Sequence, residues 1–181
     1  MASEQMTALL EAMEHDNLVK MRTLLADGVD LSSSVVIGEE YDQEEPDEIG
    51  LLFYAIRNHA SIEAIELLLE YGMDIAECDE NSITTLDTAI KFKRPDVIRL
   101  CLDRGMDVNE STRKSGITPL MLASCFSDME TAQLLLDHGA DINAVDRSGM
   151  SSKDYARKLG QKKMQAFLEE KGGRFSAYRE E

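Results

Sequence analysis

The chain has 181 residues, 43% of them hydrophobic, and its 19 basic and 35 acidic side chains give a net charge of −16. This composition is typical of a folded globular protein, and the negative charge argues against nucleic-acid or anionic-membrane partners. No apolar run is long enough for a membrane span, no export signal begins the chain, and Cys78, Cys101 and Cys125 are too scattered for a disulfide framework. We therefore expect a cytoplasmic protein.

The charge is unevenly divided along the chain. Residues 1–82 contain 20 Asp and Glu against only Lys20, Arg22 and Arg57, whereas residues 83–181 contain 15 acids and 16 bases. A negative field of this size speeds the encounter with basic partners. The alternative is that the negative charge serves only to keep the protein soluble.

In chain order, the predicted elements repeat a Leu-rich helix that ends in Gly and Asp. The copies of this motif are Arg22–Asp30, Glu66–Asp74, Arg99–Asp107, Gln133–Asp141 and Gln165–Gly172. The glycines Gly72, Gly105 and Gly139 are 33 and 34 residues apart. Each is predicted to end its helix, because glycine adopts the left-handed conformation without steric cost.

A second helix is predicted upstream of each Leu-rich segment. Its clearest start is Ile117–Ala123, where Thr118 can cap the first turn and Pro119 occupies a position that needs no N–H donor. Ile83–Ala89 and Ile49–Ala55 are variants of the same element. A small residue recurs near the end of the element, which allows neighbouring helices to approach closely. These residues are Ala55, Ala89, Ala123 and Ala156.

These motifs resemble those of ankyrin-repeat proteins over nearly the whole chain. The resemblance implies an all-α solenoid of about five helix-turn-helix repeats with hairpin-like fingers, in a single domain over residues 1–181. The expected repeats cover residues 5–33, 49–82, 83–115, 117–149 and 150–181. Phe53, Asp87 and Met121 replace the histidine that is usual in the family, so we expect a turn hydrogen bond to be missing.

An acidic insertion interrupts the period between the first two repeats. Gly28 and Gly72 are 44 residues apart, about ten more than the repeat, and the excess falls in residues 34–48. Seven of the ten residues from Glu39 to Glu48 are acidic, with Tyr41 among them. Long loops in compact domains are often functional and aromatic residues are enriched at binding hot spots, so we interpret the insertion as a binding loop.

Catalytic and cofactor chemistry is not apparent in the sequence. His15, His59 and His138 have no partners at ligand spacing, no phosphate-binding loop is present, and we expect no metal or cofactor. The last repeat has a basic run that we interpret as a solvated helix face rather than a nucleic-acid site. Its members are Lys153, Arg157, Lys158, Lys162 and Lys163.

The resemblance also implies where a partner binds, namely the fingers and the exposed side of each first helix, on a concave face. Phe92 and Phe126 occupy equivalent places where the family typically has a polar residue; the alternative is that both rings pack inward. The expected partner-binding residues, including those of the acidic insertion, are Glu39, Glu40, Tyr41, Asp42, Glu44, Glu45, Asp47, Glu48, Arg57, Asn58, Glu80, Asn81, Lys91, Phe92, Lys114, Ser115, Cys125, Phe126 and Arg147.

We therefore expect a non-catalytic protein-binding module that is monomeric on its own. One hypothesis is an inhibitor of a basic protein, similar to small bacterial immunity proteins that occupy the active site of a cognate toxin. The alternative is an adaptor that links two proteins without inhibiting either. An enzymatic role, for which Cys125 is the residue to test, is a third possibility.

Overall fold

The computed structural model describes residues 2–37 and 47–177. Within them the chain forms ten helices and two short strands, which confirms the all-α architecture. The helices are α1 (Ala2–Glu14), α2 (Leu18–Ala26), α3 (Leu51–Arg57), α4 (Ile62–Glu70), α5 (Thr85–Lys91), α6 (Pro95–Asp103), α7 (Pro119–Cys125), α8 (Met129–Asp137), α9 (Ser152–Lys158) and α10 (Lys162–Glu170). In this part of the chain no helix is both long and apolar enough to cross a bilayer.

The chain divides into two compact units, unit 1 up to Asp79 and unit 2 from Glu80. Each predicted repeat contains one helix pair. The repeat boundaries and the single domain stay predictions.

Unit 1 contains α1 to α4 and the two strands. α1 packs on α2, α2 on α4, and α4 on α3, around fully buried side chains such as Leu9, Met21 and Ile65. The strands β1 (Val35–Ile37) and β2 (Asp47–Ile49) pair antiparallel at the two ends of the acidic insertion. Ser34 Oγ donates a hydrogen bond to Glu48 Oε2 at 2.9 Å beside this pair.

Unit 2 contains α5 to α10 in three successive pairs. The first helices of the pairs, α5, α7 and α9, lie side by side, and each packs on its own second helix. Ala89, Ala123 and Ala156 are fully buried. Their small side chains therefore permit the close helix approach that the sequence predicts.

Side-chain caps begin all three first helices of unit 2. The side chains of Thr84, Thr118 and Ser151 each accept a hydrogen bond from the backbone N–H three residues later. Pro119 follows Thr118 at the helix start, so the predicted start of α7 is confirmed. A cap of this kind contributes about 1 kcal/mol to stability.

The expected loss of a turn hydrogen bond is wrong at Asp87. Its Oδ2 accepts from the Thr84 N–H at 3.4 Å and from Arg113 Nε at 3.1 Å, because a carboxylate can also act as the acceptor there. At Met121 only a weak 3.5 Å contact joins the sulfur to the Thr118 N–H. α3 begins at Gly50 with no side-chain cap at all.

The turns after the second helices are joined by asparagine side chains. Asn109 Nδ2 donates to the Gly139 carbonyl at 3.1 Å, and Asn109 Oδ1 accepts from the Asp141 N–H at 2.7 Å. Asn143 makes the same pair of contacts with the Gly172 carbonyl and the Arg174 N–H. The turn after α6 is thus fixed to the turn after α8, and that turn to the segment after α10.

The segment after α10 packs on the start of α9. The buried Asp154 Oδ2 accepts from the backbone N–H groups of Ser151, Ser176 and Ala177 at 2.8 to 3.1 Å. Lys153 is also buried, with its Nζ 3.4 Å from Glu169 Oε2 and 4.2 Å from the ring centre of Phe175. The prediction of a solvated basic face is therefore wrong for Lys153, because the following segment covers it.

Candidate functional site

An acidic cleft lies in unit 1, between the turn that joins α1 to α2 and the turn that joins α3 to α4. It has a volume of about 230 Å³. The residues that line the acidic cleft are Met13, Glu14, Asp16, Tyr54, Asn58, His59, Ala60 and Ser61. A cleft of this size admits one side chain of a partner rather than a whole peptide.

Two hydroxyl groups orient the carboxylates of the acidic cleft. The Tyr54 hydroxyl donates to Glu14 Oε1 at 2.7 Å, and the Ser61 hydroxyl donates to Asp16 Oδ1. Burial, together with the Glu14 carboxylate, raises the pKa of Tyr54 to about 12, so its hydroxyl stays a donor at neutral pH. Neither Glu14 nor Asp16 forms a salt bridge with a residue of the described ranges.

The backbone adds to the negative potential of this cleft. α1 ends at Glu14 with no basic residue in its last turn, and the carbonyl end of a helix favours cations. α3 ends nearby in sequence with Arg57, which is exposed and is not one of the lining residues. The cleft therefore presents two carboxylates at the carbonyl end of α1, a setting that favours a cation.

Unit 2 has an apolar row where its first helices end. Phe92, Phe126 and Leu159 are the C-cap residues of α5, α7 and α9. Phe126 is 38% exposed and Leu159 52%, while Phe92 is half-buried. In unit 1 the corresponding C-cap of α3 is the polar Asn58.

Cationic side chains lie beside two members of the apolar row, Phe92 and Leu159. Lys91, Lys93 and Lys158 are exposed beside it, and Lys91 Nζ lies 5.6 Å from the centre of the Phe92 ring. The aspartates of the first helices already have partners, since Asp87 pairs with Arg113 and Asp154 accepts backbone donors. Lysines thus flank Phe92 and Leu159, whereas Asp128 follows Phe126 by two residues and caps α8.

Cys125, the last residue of α7, lies beside the row. Gln161 Nε2 donates to its carbonyl at 2.8 Å and so holds the turn after α9 against the end of α7. Burial raises the pKa of the Cys125 thiol, an effect that Arg113 and Lys158 only partly oppose. The thiol therefore stays protonated near neutral pH, which disfavours a nucleophilic role. No group of potential metal ligands is found among the described residues.

The other predicted binding residues are distributed over both units. Arg57 and Asn58 lie in unit 1, where Asn58 lines the acidic cleft. In unit 2, Glu80, Asn81 and Lys114 are exposed in connecting segments. Their assignment to partner binding stays a prediction.

One backbone contact joins two of the predicted fingers of unit 2. The Arg147 N–H donates to the Ser115 carbonyl at 3.0 Å, and both residues are exposed. The structure thus brings these two predicted binding residues together.

Most of the acidic insertion lies outside the described residues. This applies to Glu39, Glu40, Tyr41, Asp42, Glu44 and Glu45. Asp47 and Glu48 belong to β2, and the exposed Glu48 is the acceptor for Ser34.

Two features of these surfaces were missed from the sequence. Leu159 follows Phe126 by 33 residues, so the spacing that selected Phe92 and Phe126 was a sufficient signal for it. The acidic cleft had no such signal, because Glu14 and Tyr54 are 40 positions apart and meet only in the folded unit.

Comparison with known families agrees with this architecture. The family model for ankyrin repeats, in three copies, matches residues 52–146, more than half of the chain. The chain belongs to the ankyrin-repeat family. Ankyrin repeats act as protein–protein interaction modules and are typically non-catalytic.

One relative is a much longer protein. The glycerophosphocholine phosphodiesterase gde1 of Schizosaccharomyces pombe is 33% identical over 92 residues, or 51% of this chain. The matched segment covers only 8% of that protein. The similarity falls on the repeats and transfers no activity to this chain.

Proposed function

We propose that this ankyrin-repeat chain binds a partner protein through basic side chains of that partner, and that binding inhibits the partner without any catalysis by the chain. The acidic cleft carries the proposal. Glu14 and Asp16 are fixed by hydroxyl donors and pair with no cation among the residues that the structure describes, so an arginine or lysine of the partner would supply one. A charge-assisted hydrogen bond of this kind is about twice as strong as a neutral one.

The charge distribution supports the same partner. Residues 1–82 carry all of the excess negative charge, including that of the insertion from Glu39 to Glu48. Such a field raises the association rate with a basic protein by about 10- to 1,000-fold at low salt. Inhibition follows where the basic surface is the one that the partner uses for a polyanionic substrate, as in the toxins that immunity proteins neutralise.

The test of cation binding uses the full chain and a small probe. Isotope-labelled protein is titrated with N-acetylarginine amide and, separately, with the neutral isostere N-acetylcitrulline amide, and amide shifts are recorded. We expect the arginine compound to shift Tyr54, Asn58 and Ser61. The double variant Glu14→Gln, Asp16→Asn should weaken binding about tenfold or more, since it removes both charges.

A matched control removes two charges elsewhere in unit 1. Glu63 and Asp27 are exposed, and Glu63→Gln with Asp27→Asn should leave the arginine titration unchanged. Equal binding of arginine and citrulline, or an equal loss in both double variants, would refute a specific cleft.

Inhibition needs its own measurement. The partner captured from the source cell with the wild-type chain is assayed with and without a stoichiometric amount of that chain. We expect its activity to fall with wild-type protein and to be retained with the Glu14→Gln, Asp16→Asn variant. Full activity of the saturated partner would rule out inhibition and leave binding intact.

An adaptor is the second candidate, and one observation favours it. The apolar row in unit 2 has lysines beside Phe92 and Leu159, which do not suit the basic partner proposed for unit 1. An adaptor predicts two captured proteins, one lost with the cleft variant and the other with Phe126→Ser. A single stoichiometric partner would count against it.

A further inference from the structure

We infer that the apolar row (Phe92, Phe126 and Leu159) is a docking site for an extended acidic segment of a second protein, one with an apolar side chain at every third residue. This inference goes beyond the proposed function, which concerns a basic partner at the acidic cleft. It rests on unit 2 alone.

The spacing of the row sets the length of the segment. Neighbouring packed helices lie about 8–10 Å apart, so three helix ends span roughly 20 Å. An extended chain in the polyproline II conformation has three residues per turn and rises about 3.1 Å per residue, so side chains three residues apart lie on one face, roughly 9 Å apart, and match adjacent helices. Successive apolar residues of the segment can then contact Phe92, Phe126 and Leu159 in turn.

Neighbouring contacts fix two members of the row relative to each other. The hydrogen bond from Gln161 to the Cys125 carbonyl, at 2.8 Å, joins the turn that follows Leu159 to the residue that precedes Phe126. The residues after the row, Lys93, Ser127 and Gly160, all have a φ between 53° and 68°. The three helix ends therefore share one backbone geometry and present their C-cap side chains in the same way.

Charge complementarity selects an acidic segment. Lys93 and Lys158 are exposed, and neither forms a salt bridge within the described part of the chain. Lys91 lies over the Phe92 ring and adds a third positive charge. A carboxylate-bearing segment would satisfy these cations while its apolar residues cover the row.

A protein segment fits the row better than a nucleic acid does. Bases stack on aromatic rings, but Leu159, the most exposed member of the row, offers no ring. The net charge of −16 also opposes a long polyphosphate, whereas a short acidic segment is screened from distant acids beyond about 8 Å at physiological salt.

The test uses a defined probe at physiological salt. A fluorescein-labelled peptide of sequence Glu-Leu-Asp-Glu-Leu-Asp-Glu-Leu-Asp is titrated with the full chain and followed by fluorescence anisotropy. Two comparison peptides replace either the acids by lysine or the leucines by serine. We expect saturable binding of the first peptide, about tenfold weaker binding of the serine peptide, and the weakest binding of the lysine peptide.

Variants locate the binding on the row. Phe126→Ser and Lys158→Glu should each weaken binding about tenfold. Met129 on α8 is 39% exposed, against 38% for Phe126, so Met129→Ser is the matched control and should bind normally. The variant Glu14→Gln, Asp16→Asn should also bind normally, which separates this inference from the proposed function. Circular dichroism melts check that each variant is folded, and Leu159→Ser is the substitute should Phe126→Ser unfold.

Several results would each overturn the inference. They are no saturable binding, equal binding of the lysine peptide, binding of an oligodeoxythymidine that depends on Phe126, and sedimentation showing self-association that Phe126→Ser abolishes. The last two would assign the row to a nucleic acid or to a second copy of the chain. Unchanged peptide binding in both Phe126→Ser and Leu159→Ser would place the probe elsewhere and likewise contradict the inference.

Discussion

Unit 1 and unit 2 are built from the same helix pair, yet they differ in how the pairs begin and in the charge at the first-helix ends. In unit 2 the first helices begin with Thr84, Thr118 and Ser151, and all three cap their helix. In unit 1, α3 begins at Gly50 without a side-chain cap and directly after the β-pair of the insertion. Unit 1 has carboxylates at the helix ends where unit 2 has an apolar row among lysines.

This difference distinguishes the residues that stabilise the fold from the residues that form the candidate binding surfaces. The residues that recur in unit 2, such as Asp87 and Asn109, bond to the next turn or helix and so propagate the stack. The residues that break the pattern lie on the surface. The Phe126 side chain has no hydrogen-bonding group, and Glu14 accepts a hydrogen bond from Tyr54 while its carboxylate stays exposed. Repeat proteins vary in function through such positions, because stability is approximately a sum over repeats and their interfaces.

The largest effect is expected from Asp154→Ala in unit 2. The buried Asp154 carboxylate accepts hydrogen bonds from Ser151, Ser176 and Ala177, and its removal leaves these donors without their acceptor. We expect the free energy of unfolding, measured by urea denaturation, to fall by about 2–3 kcal/mol. Hydrogen exchange should show the loss in unit 2, with the amides of unit 1 much less affected.

Asp103→Ala is the control for that experiment. Asp103 is exposed at the end of α6, so its loss should change the free energy of unfolding by less than about 0.5 kcal/mol. If both variants lose the same stability, or if exchange in unit 1 rises as much as in unit 2, the docked segment is not what stabilises the end of the stack.

The stability of the two units should also respond differently to acid, with a smaller effect than that of Asp154→Ala. Burial opposes ionisation of Asp154 and Asp146, but hydrogen bonds outweigh it and hold the pKa of both below the usual 3.8. A carboxyl group with a depressed pKa stabilises the folded state above pH 3.8. This contribution is lost as the pH falls through the pKa that the group has in the folded state. In unit 1, burial and then Asp74 raise the pKa of Glu77 above the usual 4.5, so its ionisation costs stability at neutral pH and acid relieves that cost as the pH falls through the raised pKa.

We therefore expect unit 1 to gain stability as the pH falls through the raised pKa of Glu77, and unit 2 to lose stability as the pH falls below the usual 3.8. Urea titrations followed by amide NMR at each pH would report the two units separately. The prediction would be wrong if acid lowered the urea midpoint of unit 1 more than that of unit 2. Glu77→Gln should abolish the gain in unit 1 without changing the acid sensitivity of unit 2.

Much of the fold could be predicted from the sequence because short local motifs determine where the helices begin and end. Thr118 and Pro119 mark a helix start, and glycines such as Gly139 mark helix ends with φ of +88°. The same signals located Phe126 on an exposed helix end. What could not be predicted depends on contacts between distant residues. The Arg113–Asp87 pair and the cover over Lys153 exist only once separate segments meet.

The two candidate surfaces also differ in how far the sequence predicts them. The apolar row is periodic, so two of its three members were selected from spacing, and Leu159 was overlooked although the period reaches it. The acidic cleft is not periodic. It depends on the approach of the α1–α2 turn to Tyr54 and Ser61, 40 and 45 residues from their partners. Sequence charge predicted the sign of the surface in unit 1 but not its position.

The smallest effect tests whether the units share the same helix-end chemistry. Gly72 in unit 1 and Gly139 in unit 2 have φ of +102° and +88°, and a Cβ at either position would meet no atom within 4 Å. The cost of alanine there is therefore conformational only, about 1 kcal/mol at each site, since nothing in the surroundings resists the methyl group. Urea denaturation of Gly72→Ala and Gly139→Ala should give equal losses. Asparagine tolerates positive φ better, so the Asn variants should lose less. If the two alanine variants lost unequal amounts of unfolding free energy, one unit would be adjusting its turn to the alanine. The repeats would then differ in backbone flexibility as well as in surface charge.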